Sequence, residues 1–225
     1  MIVFAKSPIP GSVKTRLCPP LTPDEAATLH GSLVLDTLEQ TKSLQGMDRI
    51  LACAPSQQHP FFQAVSARQH IALWEQIPDD DLGGRMAHAF REAFTKNYMN
   101  AVMIGSDLPT ISSEIIQQAV QGLRKHDVVI GPSQDGGYYL IGLKKPNPEL
   151  FFDIPWSTHQ VTALTKKKTS DLGLSLTLLP PQRDLDTIED LQFYIKESQH
   201  SLQKAVSSRT GQVFKTLGTR LVNRE

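Results

Sequence analysis

Apolar positions along the chain fall into two alternating kinds of segment. MIVFA (1–5), DRILACAP (48–55), IALWEQ (71–76) and NAVMIGSD (100–107) are short and apolar, with little polar alternation. HDVVIGPSQD (126–135), GYYLIGL (137–143) and SLTLLPP (175–181) continue the series. Such runs predict strands covered on both faces. Between them, residues 22–42, 59–69, 82–97, 112–125, 156–173 and 187–198 carry apolar residues at helical spacing. The first of these opens with Thr22 as N-cap, Pro23 at the first helical position and Asp24 and Glu25 in the first turn; Ala26, Leu29, Leu33 and Leu38 form its apolar face. Met86, Ala89, Phe90 and Phe94 line one side of the third, Ser112 or Ser113 caps the fourth, and the fifth runs from near Ser157 to Gly173. The stretch 187–198 reads as the last core helix.

Strands alternating with helices predict an α/β fold, a mainly parallel sheet with helices on both faces. No internal repeat or low-complexity tract interrupts it. From about residue 198 the pattern weakens into a basic stretch broken by Gly211 and Gly218, expected to form a pair of short amphipathic helices or a frayed tail. The organisation is therefore one domain over residues 1–197 with a basic C-terminal extension over 198–225.

Composition sharpens this picture. With 225 residues, 40% of them hydrophobic and 20% charged, the chain can bury a substantial core. The formal net charge of zero gives no bulk field toward nucleic acid, so any anion site must be local. No apolar run approaches the roughly 18 residues of a membrane span. The N-terminus lacks a basic segment ahead of an apolar one and a small-residue cleavage site, so a cytoplasmic location is expected, with no membrane and no nucleic acid as partner. Cys18 and Cys53 share no CxxC spacing and are expected to be reduced, mostly buried thiols. The histidines show no HxxH or HExxH spacing and the serines no GxSxG elbow, which argues against a zinc site and a serine hydrolase.

Ligands of open α/β sheets collect at the carboxyl ends of strands, and four loops there have unusual chemistry. KSPIPGSVKTRL (6–17) combines rigid Pro8 and Pro10, permissive Gly11 and the cations Lys6, Lys14 and Arg16, a set suited to phosphate. It lacks the second glycine of a P-loop, and a solvated basic turn is the plain alternative. MIGSDLP delivers Asp107 at a strand end, where a carboxylate can ligate a hard cation or merely cap a turn. SQDGGYYL sets Asp135 before Gly136 and Gly137, giving either room for a ligand or an ordinary hairpin turn; of Tyr138 and Tyr139, at most one directly walls a pocket. In RDLDTIEDL, Asp184 and Asp186 share a face if extended, while Asp186 or Thr187 can cap the next helix. DDD at 79–81 reads as a solvated loop and KKK at 166–168 as an exposed helix face.

FAKSPIPGSVKTRL, DLGGRM, GSDLPT, VIGPSQDGGYYLIGL, IPWST and DLDTIEDL occur in that order. Together they resemble the bacterial glycosyltransferase-A-type (GT-A) proteins of the nucleotide-diphospho-sugar transferase superfamily, in particular the small DUF2064 group, some of which are assigned to arsenosugar biosynthesis. The resemblance covers roughly residues 1–195. More distantly, the chain is similar to the molybdenum-cofactor and phospholactate guanylyltransferases. The resemblance implies a Rossmann-like GT-A sheet, a nucleotide-activated donor, a small-molecule acceptor and Mg²⁺ or Mn²⁺. It implies that Pro8, Gly11, Lys14, Thr15, Arg16 and Arg85 serve the nucleotide diphosphate, and that Asp107 holds the metal where the superfamily keeps a DxD motif. The stretch here is Ser-Asp-Leu, so Asp186 is the candidate second ligand, with Asp184 behind it. Gly136, Gly137, Tyr138 and Trp156 would shape the sugar or acceptor side. Asp135 is the candidate base, and Asp107 counts with it in the catalytic set. Gly84 stands where the family pattern has an acidic residue. Glycosyl transfer is the expected reaction; nucleotidyl transfer with release of pyrophosphate, or nucleotide binding without turnover, are the alternatives.

Overall fold

A computed structural model describes residues 1–78, 81–200 and 208–222. Seven strands form one sheet: β1 (Ile2–Lys6), β2 (Ile50–Ala54), β3 (Ala72–Glu75), β4 (Ala101–Ile104), β5 (Val128–Pro132), β6 (Tyr138–Leu143) and β7 (Leu176–Leu178), in the order β3-β2-β1-β4-β6-β5-β7. All neighbours are parallel except β6, which runs antiparallel to both β4 and β5. The chain between β5 and β6 is too short for a crossover, so it closes as a hairpin and reverses β6. The carboxyl ends of the other six strands and the start of β6 consequently share one edge of the sheet. All four loops singled out above lie on that edge.

Helices cover both faces, as the unbroken apolar strands require. Val3, Leu51, Val102, Ile104 and Val129 meet α1 (Pro23–Thr41), α2 (Pro60–Gln69) and α4 (Ser113–Lys125) on one side. Ile2, Ile50, Met103, Ile130 and Ile141 meet Met86, Phe90 and Ala93 of α3 (Leu82–Thr95) on the other. Thr22 caps α1 in a reciprocal capping box with Glu25, Ser112 caps α4, and Asp81 caps α3 by accepting from the Gly84 N–H at 2.8 Å. Asp81 thus has a structural task; the rest of the acidic 79–81 triplet lies outside the described residues. Cys18 and Cys53 are free thiols, and burial pushes that of Cys53 up to about 12.

Two elements differ from expectation. The fifth helix, α5 (Val161–Asp171), begins later than Ser157. The start of the helix and the residues just ahead of it are held by the hairpin turn: the Thr162 N–H donates to the Gly136 carbonyl at 2.9 Å, and a β-carbon on Gly136 would lie 2.1 Å from the His159 carbonyl oxygen. With φ at +93°, only glycine fits there. The second difference is the C-terminal extension. After α6 (Ile188–His200), residues Ser208–Val222 form one helix, α7, which belongs to the core. Phe214 is fully buried and stacks on Tyr194 with ring centroids 6.1 Å apart. Buried Asp36 of α1 caps α7, accepting from the Thr210 N–H (2.8 Å) and hydroxyl (2.6 Å), with Arg209 at 3.2 Å. Neither glycine breaks the helix, because packing against α1 and α6 outweighs a propensity cost of about 1 kcal/mol each. Phe214→Ala should therefore lower unfolding stability by about 3–5 kcal/mol in urea titration; a frayed tail would show no change.

Candidate functional site

A cleft of about 650 Å³ opens over the carboxyl edge of the sheet. Its floor is the ends of β1 and β4 and the start of β6, and its walls come from the basic loop, α3 and residues 156–158. It brings together four carboxylates, Asp107, Asp135, Asp184 and Asp186, and four cations, Lys6, Lys14, Arg16 and Arg85. These residues come from four separate loops and from α3, so only the fold assembles them.

Lys14 is the centre of the arrangement. Its side chain is 4% exposed, and the ammonium lies 2.5 Å from Asp107 Oδ1 and 2.9 Å from Asp186 Oδ1. It also donates to the Leu185 carbonyl, so its three N–H donors are all used. Burial alone would lower its pKa; attraction first to Asp107 and then to Asp186 overrides this and raises it. The reciprocal effect holds Asp107 below the usual carboxylate range despite the cost of burial. Lys14 adopts a left-handed backbone (φ 49°, ψ 35°) at the start of the short helix Thr15–Leu17, uncommon for a residue with a side chain. The Leu185 N–H donates to the Asp107 carbonyl at 2.9 Å, completing a seam among three loops.

Asp184 lies behind this seam. Parallel pairing continues past β5 and β7 through Ser133 and Gln182, and brings the Ser133 hydroxyl 2.7 Å from Asp184 Oδ2. Its other oxygen is buried without a partner. Burial, reinforced by Asp107, Asp135 and Asp186, pushes its pKa up to about 7 against the pull of Ser133. Asp186 does not cap α6: Thr187 does, accepting from the Asp190 N–H at 3.3 Å, while Asp190 accepts back from Thr187. This leaves Asp186 to pair with Lys14.

The remaining candidates divide by position. Thr15, Arg16 and Arg85 line the cleft, as do Gly137, Tyr138 and Trp156. Tyr138 meets Trp156 edge to face at 6.2 Å and Met86 Sδ at 4.0 Å, giving an apolar wall. Gly83 permits it, since a β-carbon there would lie 2.4 Å from the indole nitrogen of Trp156. Tyr139 also reaches the cleft, but its hydroxyl donates to the Pro180 carbonyl at 3.1 Å. Asp135 is exposed and accepts from the Gly137 N–H at 2.9 Å. Pro8, Gly11 and Gly136 do not line the cleft: Pro8 packs against Gly31, Gly11 turns the loop at φ +77°, and Gly136 seats the turn before α5. Sequence reasoning ranked Lys6 below Lys14 for the diphosphate, yet among the described residues the Lys6 and Arg16 side chains make no hydrogen bond or ion pair, and Lys6 acts on Asp107 only through its field.

His30 was missed. It is buried on α1, with Nε2 3.0 Å from the Lys6 carbonyl and Nδ1 3.9 Å from Asp107 Oδ1. Burial lowers its pKa. Its signal in the sequence was a histidine on an otherwise apolar helix face, one residue from Leu29 and three from Leu33.

The oxygen donors suit a hard divalent cation. Among the described residues no three metal-ligating side chains form a ready cage, but Asp107 and Asp186 converge on the same Lys14 ammonium and Asp184 keeps an unpartnered oxygen. Mg²⁺ is commonly held by one or two carboxylates together with substrate phosphates, so the residues present fit it.

Because folding raises the Asp184 pKa above its unfolded value of about 4, its neutral form is favoured in the native state. Stability from this group is complete below pH 4 and lost as pH rises through 7. Urea midpoints of wild type and Asp184→Asn should therefore diverge between pH 5 and 8 in favour of the asparagine variant, by at most about 1.4 kcal/mol per pH unit; parallel curves would contradict this.

Residues 37–158 match the family model DUF2064, described as an uncharacterized protein conserved in bacteria. A solved structure of a provisionally assigned nucleotide-diphospho-sugar transferase from Desulfovibrio desulfuricans G20 is 32% identical, with 99% of this chain and 96% of that one covered at a TM-score of 0.87. A cytidylyltransferase from Leptospira borgpetersenii is 16% identical, covering 97% and 93% at a TM-score of 0.55. The 4-diphosphocytidyl-2C-methyl-D-erythritol synthase of Anaerococcus prevotii is 11% identical, covering 88% and 96% at 0.58. The last two show a shared fold. The family match over the middle of the chain and the Desulfovibrio structure over nearly all of it lead to one conclusion: the chain belongs to the DUF2064 family.

Proposed function

We propose that the protein is a transferase that uses a nucleotide-activated donor and moves a sugar from a nucleotide diphosphate sugar to a small acceptor, with Mg²⁺ or Mn²⁺. The observation that carries this reading is the gathering, in one cleft, of Lys6 and Arg16, whose side chains make no hydrogen bond or ion pair among the described residues, with the carboxylates Asp107 and Asp186. The assignment of the Desulfovibrio relative supports it.

Lys6, Arg16 and Arg85 hold the diphosphate, whose departing charge they neutralise through charge-assisted hydrogen bonds. Asp107 and Asp186 hold the divalent cation, which when bound supplies Lewis-acid stabilisation of the leaving phosphates. Tyr138 and Trp156 wall the sugar and acceptor side. Asp135 takes the proton of the acceptor hydroxyl. The acceptor oxygen then bonds to the anomeric carbon as the bond from that carbon to the diphosphate oxygen breaks. The Gly137 N–H, already bound to Asp135 Oδ1, orients the carboxylate.

Product analysis with a panel of nucleotide sugars and nucleoside triphosphates tests the reaction. Release of a nucleoside diphosphate in step with acceptor glycosylation is expected. Pyrophosphate release from a triphosphate would replace the reading with nucleotidyl transfer, and metal-dependent binding without either product would replace it with a non-catalytic one. Lys6→Ala and Arg16→Ala should each weaken nucleoside diphosphate binding by at least about tenfold in calorimetry, the loss expected for a hydrogen bond between charged groups. Their thermal unfolding should be unchanged; an equal drop in Tm in both would make the loop structural.

A further inference from the structure

The place of Lys14 raises a question about the proposed metal site. Its ammonium sits between the two carboxylates that would hold the cation, within hydrogen-bond distance of both. A divalent cation on the same oxygens would meet a positive charge a few ångströms away, and two such charges in a low-dielectric cleft repel strongly. All three N–H donors are spent on Asp107, Asp186 and Leu185, so none is left for a phosphate in this arrangement. Lys6 and Arg16, by contrast, line the same cleft with no hydrogen bond or ion pair to their side chains among the described residues.

We infer that Lys14 is an internal counter-ion that closes the Asp107–Asp186 pair to divalent metal until a diphosphate enters. The inference rests on the metal-and-diphosphate reading above and adds an order of events to it. Lys6 and Arg16 draw in the diphosphate. Its oxygens then offer the Lys14 ammonium new acceptors, and the four-carbon stem lets that point charge swing from carboxylate to phosphate. Asp107 and Asp186 are then free to hold the metal, for which the diphosphate oxygens would supply further hard ligands. Metal and diphosphate then bind with positive coupling, and by linkage each strengthens the other.

Mn²⁺ titration followed by electron paramagnetic resonance, without nucleotide, tests this on the full chain. Lys14→Met should bind Mn²⁺ at least about tenfold more tightly than wild type, within the usual range of coupling between sites. The gain should vanish in the double variant Lys14→Met/Asp107→Asn. Lys6→Met removes a charge from the same cleft but not from between the carboxylates, and should change Mn²⁺ affinity less than threefold. Equal affinities for wild type and Lys14→Met, or equal gains in the Lys6 and Lys14 variants, would overturn the inference. Should Lys14→Met fail to fold by circular dichroism, the wild type decides. Its protected lysine ammonium resonance in ¹H–¹⁵N spectra should leave its original position on adding Mg²⁺ with imidodiphosphate, and its persistence at an unchanged position would overturn the inference. Neither arm uses a sugar donor or turnover. Nucleoside diphosphate binding that requires Mn²⁺ while Lys14→Met leaves Mn²⁺ affinity unchanged would therefore remove this inference and leave the proposed function standing.

Discussion

Carboxylates from separate loops cannot gather in a partly dehydrated cleft unless a cation gathers with them. Here that cation is the Lys14 ammonium, bound to Asp107, Asp186 and the Leu185 carbonyl. Removing one partner of such a cluster leaves uncompensated charge, which costs far more than the pair contributes when intact. The seam also explains the left-handed backbone of Lys14 and why Asp186 is spared from capping α6, a task that Thr187 performs. Asp184, outside the reach of the ammonium, has only the Ser133 hydroxyl, and its raised pKa reflects that shortage.

The rest of the molecule holds this seam in place. The parallel strands deliver their carboxyl ends to one edge, and the reversal at β6 adds the Asp135 turn beside them. Gly136 and Gly83 let the segment around Trp156 press against the hairpin turn on one side and α3 on the other, which fixes the apolar wall. On the far side, α7 packs on α1, which carries His30 toward the cleft, and on α6, which follows directly on the Asp186 loop. The C-terminal helix thus supports the site without touching it.

Much of this was legible in the sequence because it is local. Unbroken apolar runs give buried strands, Thr22 with Glu25 gives a capping box, and prolines, a glycine and cations near the first strand mark a loop that lines the cleft. What escaped depends on tertiary partners. The extension after residue 198 reads as weak because its glycines lower helix propensity, and only Phe214 against Tyr194 and Asp36 beneath Thr210 reveal that packing holds it. Ser157 looks like a helix start until the Gly136 turn claims the residues after it. Lys14 and Lys6 offer the same chemistry in a string of letters, and the resemblance to the family singled out only Lys14. That one is tied between two aspartates and the other lines the cleft with no ion pair among the described residues follows from loops that only the sheet brings together.

The central claim is that this cleft takes a nucleotide diphosphate together with a divalent cation held by Asp107 and Asp186. Calorimetric titration with UDP and GDP, with and without Mn²⁺, on wild type and Asp107→Asn tests it most directly. The account predicts binding that depends on Mn²⁺ and is lost in the variant. Binding that ignores the metal and survives Asp107→Asn unchanged would contradict it.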